Sequence, residues 1–246
     1  MNILVCISKT PDTTAKISFK ENNTQFDTDG LQYIMNPYDE WYALVRAVEL
    51  KEAEGGKVVA INVGPSSNDI IIRKALAIGA DEAIRVDAEA NSAHFVAQQI
   101  AAYAKENSFD IIFTGKETID YNGSLVGGMI AELMDRPYFS YASKMEVEGN
   151  TATITCDIEG GVEILKSETP FVVSASKGMA EQRIPNMRGI MMAKRKPLNV
   201  IPAIAVDEKS QVSSYMTPEE KSGVKLLDPE NMDELVRLLH EEAKVI

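Results

Sequence analysis

Residues 3–8, Ile-Leu-Val-Cys-Ile-Ser, form a short unbroken apolar run. A strand with one wet face alternates apolar and polar residues. A run without alternation needs cover on both faces, which is the pattern of a strand buried in a parallel sheet. Residues 57–63 (Lys-Val-Val-Ala-Ile-Asn-Val) repeat the pattern, and residues 83–86 and 110–114 give shorter versions. Segments with helical spacing lie between these runs. Residues 37–53 place Trp41, Leu44, Val45, Val48 and Leu50 at roughly helical intervals, with Pro37 expected at the first helical position and Gly55-Gly56 as the stop. Residues 68–78, 92–107 and 125–134 read as further helices, the second capped by Ser92 and the first of them closed by Gly79. Strands alternating with helices of this length predict an α/β fold with a parallel sheet covered on both sides.

After Pro137 the texture changes. Residues 144–147, 151–158, 162–166 and 171–175 read as short strands joined by Gly-Asn and Gly-Gly turns, a hairpin-rich section. Residues 207–223 are polar and without periodicity, an extended arm. Asp228-Pro229 is expected to open a terminal helix with Met232, Leu235, Val236, Leu238 and Leu239 on one side. The expected organisation is an α/β domain over residues 1–206 and a C-terminal arm and helix over 207–246. That helix packs either on a partner or back on its own domain.

The chain has 246 residues, 45% of them hydrophobic, enough for a sizeable core. Its net charge of −12 disfavours nucleic acid as a main partner, since a phosphate-binding surface is basic. Cys6 and Cys156 lie far apart, and His94 and His240 are isolated, so no metal-ligand spacing is present. The sequence enters its first strand without a leader-like apolar segment and holds no run of membrane-spanning length. A cytoplasmic protein with no direct membrane insertion is expected.

In an open parallel sheet, ligands bind beyond the carboxyl ends of the strands. Residues 6–12, 35–39, 63–67 and 115–128 fall there. The last segment is the richest: Gly123, Gly127 and Gly128 allow close backbone approach, and the amides of Ser124 to Gly127 would point out of a helix start, a ready anion site. An ordinary strand–loop–helix turn reads the same way. Asp120 serves either as an acceptor for a ribose hydroxyl or as a helix cap. Asn36 with Pro37 either positions an adenine edge or caps the first helix. None of the common phosphate-loop or nucleophile-elbow motifs occurs, and neither histidine stands beside a nucleophile. The pattern predicts a protein that binds a nucleotide without transforming it.

Residues 183–197 set Met187, Ile190, Met191 and Met192 directly before Lys194, Arg195 and Lys196. In an acidic chain, flexible methionines beside a basic cluster read as a docking device. The alternative is an edge strand or loop whose methionines pack inward and whose cations are solvated.

Several motifs, in order, carry a resemblance. Met35-Asn-Pro-Tyr-Asp-Glu40 is one. Gly64-Pro65 followed by Ile72-Arg-Lys-Ala-Leu-Ala-Ile-Gly-Ala-Asp81 is another. Thr114-Gly-Lys-Glu-Thr-Ile-Asp120, Glu159-Gly-Gly-Val-Glu163, Thr169-Pro170 and the Arg183 to Pro197 stretch complete the set. The chain resembles the β subunits of electron-transfer flavoproteins over nearly its whole length.

The resemblance implies a Rossmann-like fold of the adenine-nucleotide α-hydrolase-like kind. It implies a heterodimer whose α subunit holds most of the FAD site, with AMP in this chain and no catalytic residue. The nucleotide would meet Cys6, Asn36, Pro37, Tyr38, Asp39, Val63 and the loop of Gly115, Asp120, Tyr121, Asn122, Gly123, Ser124, Leu125 and Val126, with Gly127 at the helix start. Thr13 and Tyr38 would lie toward the flavin. Met187 stands at the family's apolar anchor for dehydrogenases, with Ile190, Met191, Lys194, Arg195 and Lys196 around it. Electrons would pass from flavin dehydrogenases of the acyl-CoA type to a quinone oxidoreductase. Residues 121–128, Tyr-Asn-Gly-Ser-Leu-Val-Gly-Gly, match neither the ordinary nor the electron-bifurcating version of the loop. AMP is favoured, and a second FAD is the alternative. Readings of another class are a stand-alone nucleotide sensor or an ATP-pyrophosphatase-like enzyme. The latter would require a Ser-Gly-Gly-x-Asp-Ser loop that Ser8-Lys-Thr-Pro-Asp12 does not supply.

Overall fold

The computed structural model describes residues 1–219 and 223–246. Its strands are β1 (Asn2–Cys6), β2 (Lys9–Pro11), β3 (Phe19–Lys20), β4 (Gln25–Phe26), β5 (Tyr33–Met35), β6 (Lys57–Val63), β7 (Glu82–Asp87), β8 (Ile111–Gly115), β9 (Tyr138–Glu148), β10 (Thr151–Ile158), β11 (Gly161–Glu168), β12 (Phe171–Ala175) and β13 (Leu198–Pro202). Its helices are α1 (Asp39–Glu54), α2 (Asp69–Ile78), α3 (Ala93–Glu106), α4 (Val126–Met134), α5 (Met187–Ala193) and α6 (Met232–Arg237).

Nine strands make one sheet in the order β11-β10-β9-β12-β8-β1-β6-β7-β13. From β9 to β13 every neighbouring pair is parallel, and β10 runs against both β9 and β11. The unbroken apolar run of β1 is explained by its two covered faces. Ile3 and Val5 face the core built with α1 and α2, while Leu4 and Cys6 face the core built with α3 and α4. Period-two alternation then feeds both layers from one strand. Ser92 caps α3 as expected, its hydroxyl accepting from Phe95 N at 3.0 Å.

Two expectations change, and two features go beyond the sequence reading. Pro37 is not the first helical residue; α1 starts at Asp39 behind Tyr38. The hairpin-rich section is present as β9-β10-β11 and is continuous with the main sheet: β9 begins at Tyr138, and β12 returns to insert between β8 and β9 in parallel register. Gly149 and Gly160, both at positive φ, turn β9 into β10 and β10 into β11. Leu198–Pro202 forms an edge strand on β7 that its short, proline-flanked sequence does not announce. The terminal helix starts at Met232, not at Asp228-Pro229, whose Asp228 closes a turn by accepting from Glu230 N.

The chain divides into two compact units. The first holds residues 1–17 and 27–213 and carries the nine-stranded sheet. The second joins residues 18–26 to 214–246. In it, Phe19 of the β3–β4 hairpin stacks on Tyr215 with centroids 4.7 Å apart, and Tyr215 N donates to Asn23 O at 2.7 Å. Asn231 caps α6, and one wider helical turn, Leu238–Glu242, continues it. The described residues of the predicted arm, 207–219 and 223, form no helix or strand; residues 220–222 lie outside the described set.

Candidate functional site

The strand order locates a crevice. From β1 the chain passes through α1 to β6 on one side, whereas β8 on the other side is reached from β7 through α3. Connections therefore diverge between β1 and β8, and the sheet leaves an opening beyond their carboxyl ends. The β1–β2 link, residues 36–40 and the loop after β8 meet there.

Asn36 ties them together. It is fully buried; its backbone N donates to Ser8 O at 3.1 Å. Its side-chain amide donates to Glu117 O at 3.0 Å, and its Oδ1 accepts from Ile119 N at 3.3 Å. Asn36 thus caps no helix. The amide it would offer an adenine edge is committed to the β8 loop.

Glu40 faces the same junction. Its carboxylate accepts from Ser8 N at 2.7 Å and from Ser8 Oγ at 2.5 Å. Burial pushes its pKa up to about 8; the Ser8 hydrogen bonds oppose that rise, and the negative charges of Asp120 and Asp39 add to it. Asp39 is also raised by burial, opposed by Lys116. Gly115 allows this crowding: a Cβ there would stand 2.8 Å from Glu40 Cγ and 3.0 Å from Glu40 N. Tyr38, Asp39, Tyr42, Lys116, Glu117, Ile119 and Lys177 line an open depression of about 310 Å³ beside the junction.

The loop after β8 supplies donors. Asn122 and Ser124 both adopt left-handed backbone, at φ +48° and +52°, which is uncommon for residues with a Cβ and clusters at ligand sites. Gly123, lying between them, has neither positive φ nor any neighbour for an added Cβ. Asp120 does not cap α4, whose N-cap is Leu125 without a side-chain bond; instead its Oδ1 accepts from Tyr121 N at 2.9 Å. The first amides of α4, at Val126 and Gly127, have no partner within the helix. Beside them Thr114 Oγ1 is buried with no hydrogen-bond partner. Gly127 packs there, where an added Cβ would come 2.7 Å from Thr114 Oγ1 and 2.9 Å from Tyr138. An unpaired hydroxyl and unpaired amides at one helix start fit an anionic group such as a nucleotide phosphate.

Other predicted site residues lie around this centre. Val63 ends β6, on the other side of β1 from β8, and is buried in the core built with α3 and α4. The Cys6 side chain packs in the α3–α4 core, and burial raises its thiol pKa well above the ordinary range. Thr13 is exposed on a turn that Asp12 stabilises by accepting from Thr14 N and Oγ1. Sequence reading placed Ser8 and Lys116 only within broader crevice segments and assigned no site role to Glu40 or Thr114. Paired acids at a helix start ordinarily mark its positive end, so nothing local signals that Glu40 is buried.

Within residues 183–197, Met187–Ala193 form helix α5 rather than an edge strand, with irregular backbone on either side. Asn186 Oδ1 accepts from Gly189 N at 2.8 Å and caps α5. Met187 is 73% exposed and Met191 67%, with Ile190 and Met192 also exposed, while only Ala193 is buried. Four exposed apolar side chains thus stand on one seven-residue helix. The Lys194 and Arg195 side chains are exposed beside it. Lys196 differs: its ammonium donates to Leu76 O and Ala80 O, which takes it out of the docking set.

The chain is similar to known proteins over its whole length. A sequence profile described as "Electron transfer flavoprotein domain" matches residues 23–206, most of the chain. The chain belongs to the electron transfer flavoprotein family. The electron transfer flavoprotein subunit beta of Bacillus subtilis (strain 168) is 36% identical over 261 aligned positions covering all of both chains. The subunit of that name from Mus musculus is 34% identical, covering 100% of this chain and 99% of its own. The one from Arabidopsis thaliana, named as mitochondrial, is 33% identical over the whole of both. The chain is thus a β subunit of an electron transfer flavoprotein. Among the described residues no helix is long and apolar enough to cross a membrane.

Proposed function

We propose that this β subunit holds AMP in the crevice between β1 and β8, pairs with an α subunit that carries most of the FAD site, and presents α5 to partner proteins. The observation that carries the nucleotide assignment is the unpaired Thr114 hydroxyl beside the free amides at the start of α4. FAD, when bound, supplies the redox chemistry. This chain's own part is to bind and orient. The amides of Val126 and Gly127 and the Thr114 hydroxyl would hold the phosphate, the left-handed residues Asn122 and Ser124 would turn the loop around it, and Asn36 and Glu40 would fix the crevice walls. Thr13 and Tyr38 face the flavin of the α subunit. Neither proton transfer nor covalent chemistry is asked of this chain.

The carrier takes electrons from flavin dehydrogenases of the acyl-CoA type and delivers them to a quinone oxidoreductase. Met187, Ile190 and Met191 fill an apolar pocket of the partner, and Lys194 and Arg195 steer acidic surfaces toward it. The C-terminal arm and helix pack on the α subunit. Met232 and Val236 are more than half exposed and suit that contact. Truncation after Gly223 is expected to leave the sheet domain folded and to weaken pairing with the α subunit. Undiminished affinity in a titration of the truncated chain would refute that placement.

The central test is mass analysis of the nucleotides released from the purified heterodimer. One AMP and one FAD per heterodimer is the expected result. Two FAD would identify an electron-bifurcating carrier, and a colourless single chain without nucleotide would overturn the reading.

A further inference from the structure

Arg73, in the middle of α2, and Lys196, just beyond α5, each grip the backbone of the other's segment. Arg73 Nη1 donates to Ala193 O at 2.8 Å and to Lys196 O at 2.7 Å. Lys196 Nζ returns over the end of α2, donating to Leu76 O at 2.9 Å and Ala80 O at 2.5 Å. All four acceptors are main-chain carbonyls at or just past a helix C-terminus, where carbonyls lack intrahelical donors and the helix dipole favours cations. Between the two cations Gly189 lies against α2: an added Cβ would stand 2.6 Å from Ala77 O. At the other end Arg183 makes a bidentate pair with Glu52 at 2.8 and 3.0 Å, and its carbonyl accepts from Trp41 Nε1 at 3.3 Å.

These bonds hold an element that could not hold itself. A seven-residue helix is far too short to persist alone in water, and the side chains of α5 that would ordinarily bury it point outward. Its backbone is fixed while Met187, Ile190, Met191 and Met192 stay exposed. A segment ordered beforehand does not lose its conformational freedom at the moment of association.

We propose that Arg73 and Lys196 are positioning residues for partner recognition: their reciprocal clasp, with the close approach at Gly189, holds α5 in its docking conformation before a partner arrives. The inference rests on the reading of α5 as the docking face. It makes the affinity of the carrier for dehydrogenases depend on two residues that touch no partner.

The test uses the intact heterodimer. Arg73→Met, Arg73→Lys and Gly189→Ala are compared with Met187→Ala, using an acyl-CoA dehydrogenase and its substrate as the reductant. For Arg73→Met, amide exchange across residues 187–195 should speed up at least about tenfold while β1 and β8 keep their protection. The KM for the carrier should rise about tenfold with kcat unchanged, since only pre-ordering is lost. Arg73→Lys, which keeps the charge without the planar fork, should recover part of the loss. Gly189→Ala should shift both readouts in the same direction by less, and it carries the test alone if Arg73→Met does not fold. Faster exchange with unchanged KM, or unchanged exchange, would overturn the clasp as a recognition device. If Met187→Ala also leaves KM unchanged, the docking reading itself fails; if Met187→Ala raises KM and Arg73→Met does not, only the clasp inference fails.

Discussion

The crevice and α5 are built by opposite rules. At the crevice, polar groups are buried and bonded to one another: Asn36 spans the β1 and β8 loops, and Glu40 takes both donors of Ser8. Backbones approach so closely there that Gly115 and Gly127 have no room for a methyl group. On α5 the apolar side chains face outward and the polar bonds run underneath, from cations to main-chain carbonyls. A site for a small charged ligand must remove water and satisfy every remaining donor. A site for a protein must keep apolar area in reserve while fixing its backbone. The same chain therefore buries its polar groups in one place and exposes its apolar ones in another.

The contrast can be broken hardest at Gly127. Gly127→Glu forces a side chain into the space of Thr114 and Tyr138, as well as placing a carboxylate at the anion site. It should cost about 3 kcal/mol of stability and remove the bound nucleotide. Gly161→Ala, in open space at the start of β11 on the far edge of the sheet, is the control and should change neither. Denaturant titration and nucleotide analysis decide; full nucleotide content in Gly127→Glu would show that the crevice is only a turn.

Next comes Met187→Ala. Truncating one exposed anchor should weaken dehydrogenase binding by about 2 kcal/mol, roughly thirty-fold, without changing thermal stability or nucleotide content. Normal turnover with several dehydrogenases at sub-saturating carrier would make α5 ordinary surface.

A pH dependence sharpens the crevice side. Glu40 holds its proton up to about pH 8 in the folded chain, whereas an unfolded glutamate releases it near pH 4.3. Between these values the folded state binds the extra proton. Stability is therefore fullest at low pH within this window and falls as pH rises toward 8. Glu40→Gln should flatten that slope in melts recorded from pH 5 to 8; an unchanged slope would assign the dependence to another group.

The smallest effect is electrostatic. Replacing Lys194 and Arg195 by Gln should slow association with an acidic dehydrogenase about threefold at low ionic strength and hardly at all at high salt. A loss that ignores salt would mean that these cations, like Lys196, hold the segment to its own fold.

Local pattern carried much of the architecture. The extents of β6 and β12 and the Ser92 cap of α3 stand where periodicity and capping chemistry put them. The crevice was legible as a set of strand ends because a parallel sheet leaves few other openings. What was not legible depends on partners distant in the chain. The Asn36 side chain bonds residues more than 80 positions away, so its N-cap chemistry is overruled by tertiary geometry. Glu40 reads as a first-turn acid until Ser8 is seen beside it. Lys196 belongs to a run of three cations and differs from its neighbours only through α2. Strand order is likewise silent in sequence: nothing within Phe171–Ala175 says that it pairs with both β8 and β9.

That insertion has a consequence for how the protein is made. β8 and β9 leave the ribosome before β12, and the slot between them stays empty until about 60 further residues beyond β8 have been added. At typical elongation rates of roughly 5–20 residues per second, the nascent chain carries two unpaired apolar strand edges for several seconds. Those edges are ready templates for intermolecular pairing. Slowing translation between the codons for Gly115 and Ala175 lengthens that interval, so yield of soluble protein should be more sensitive to codon choice there than anywhere later in the message.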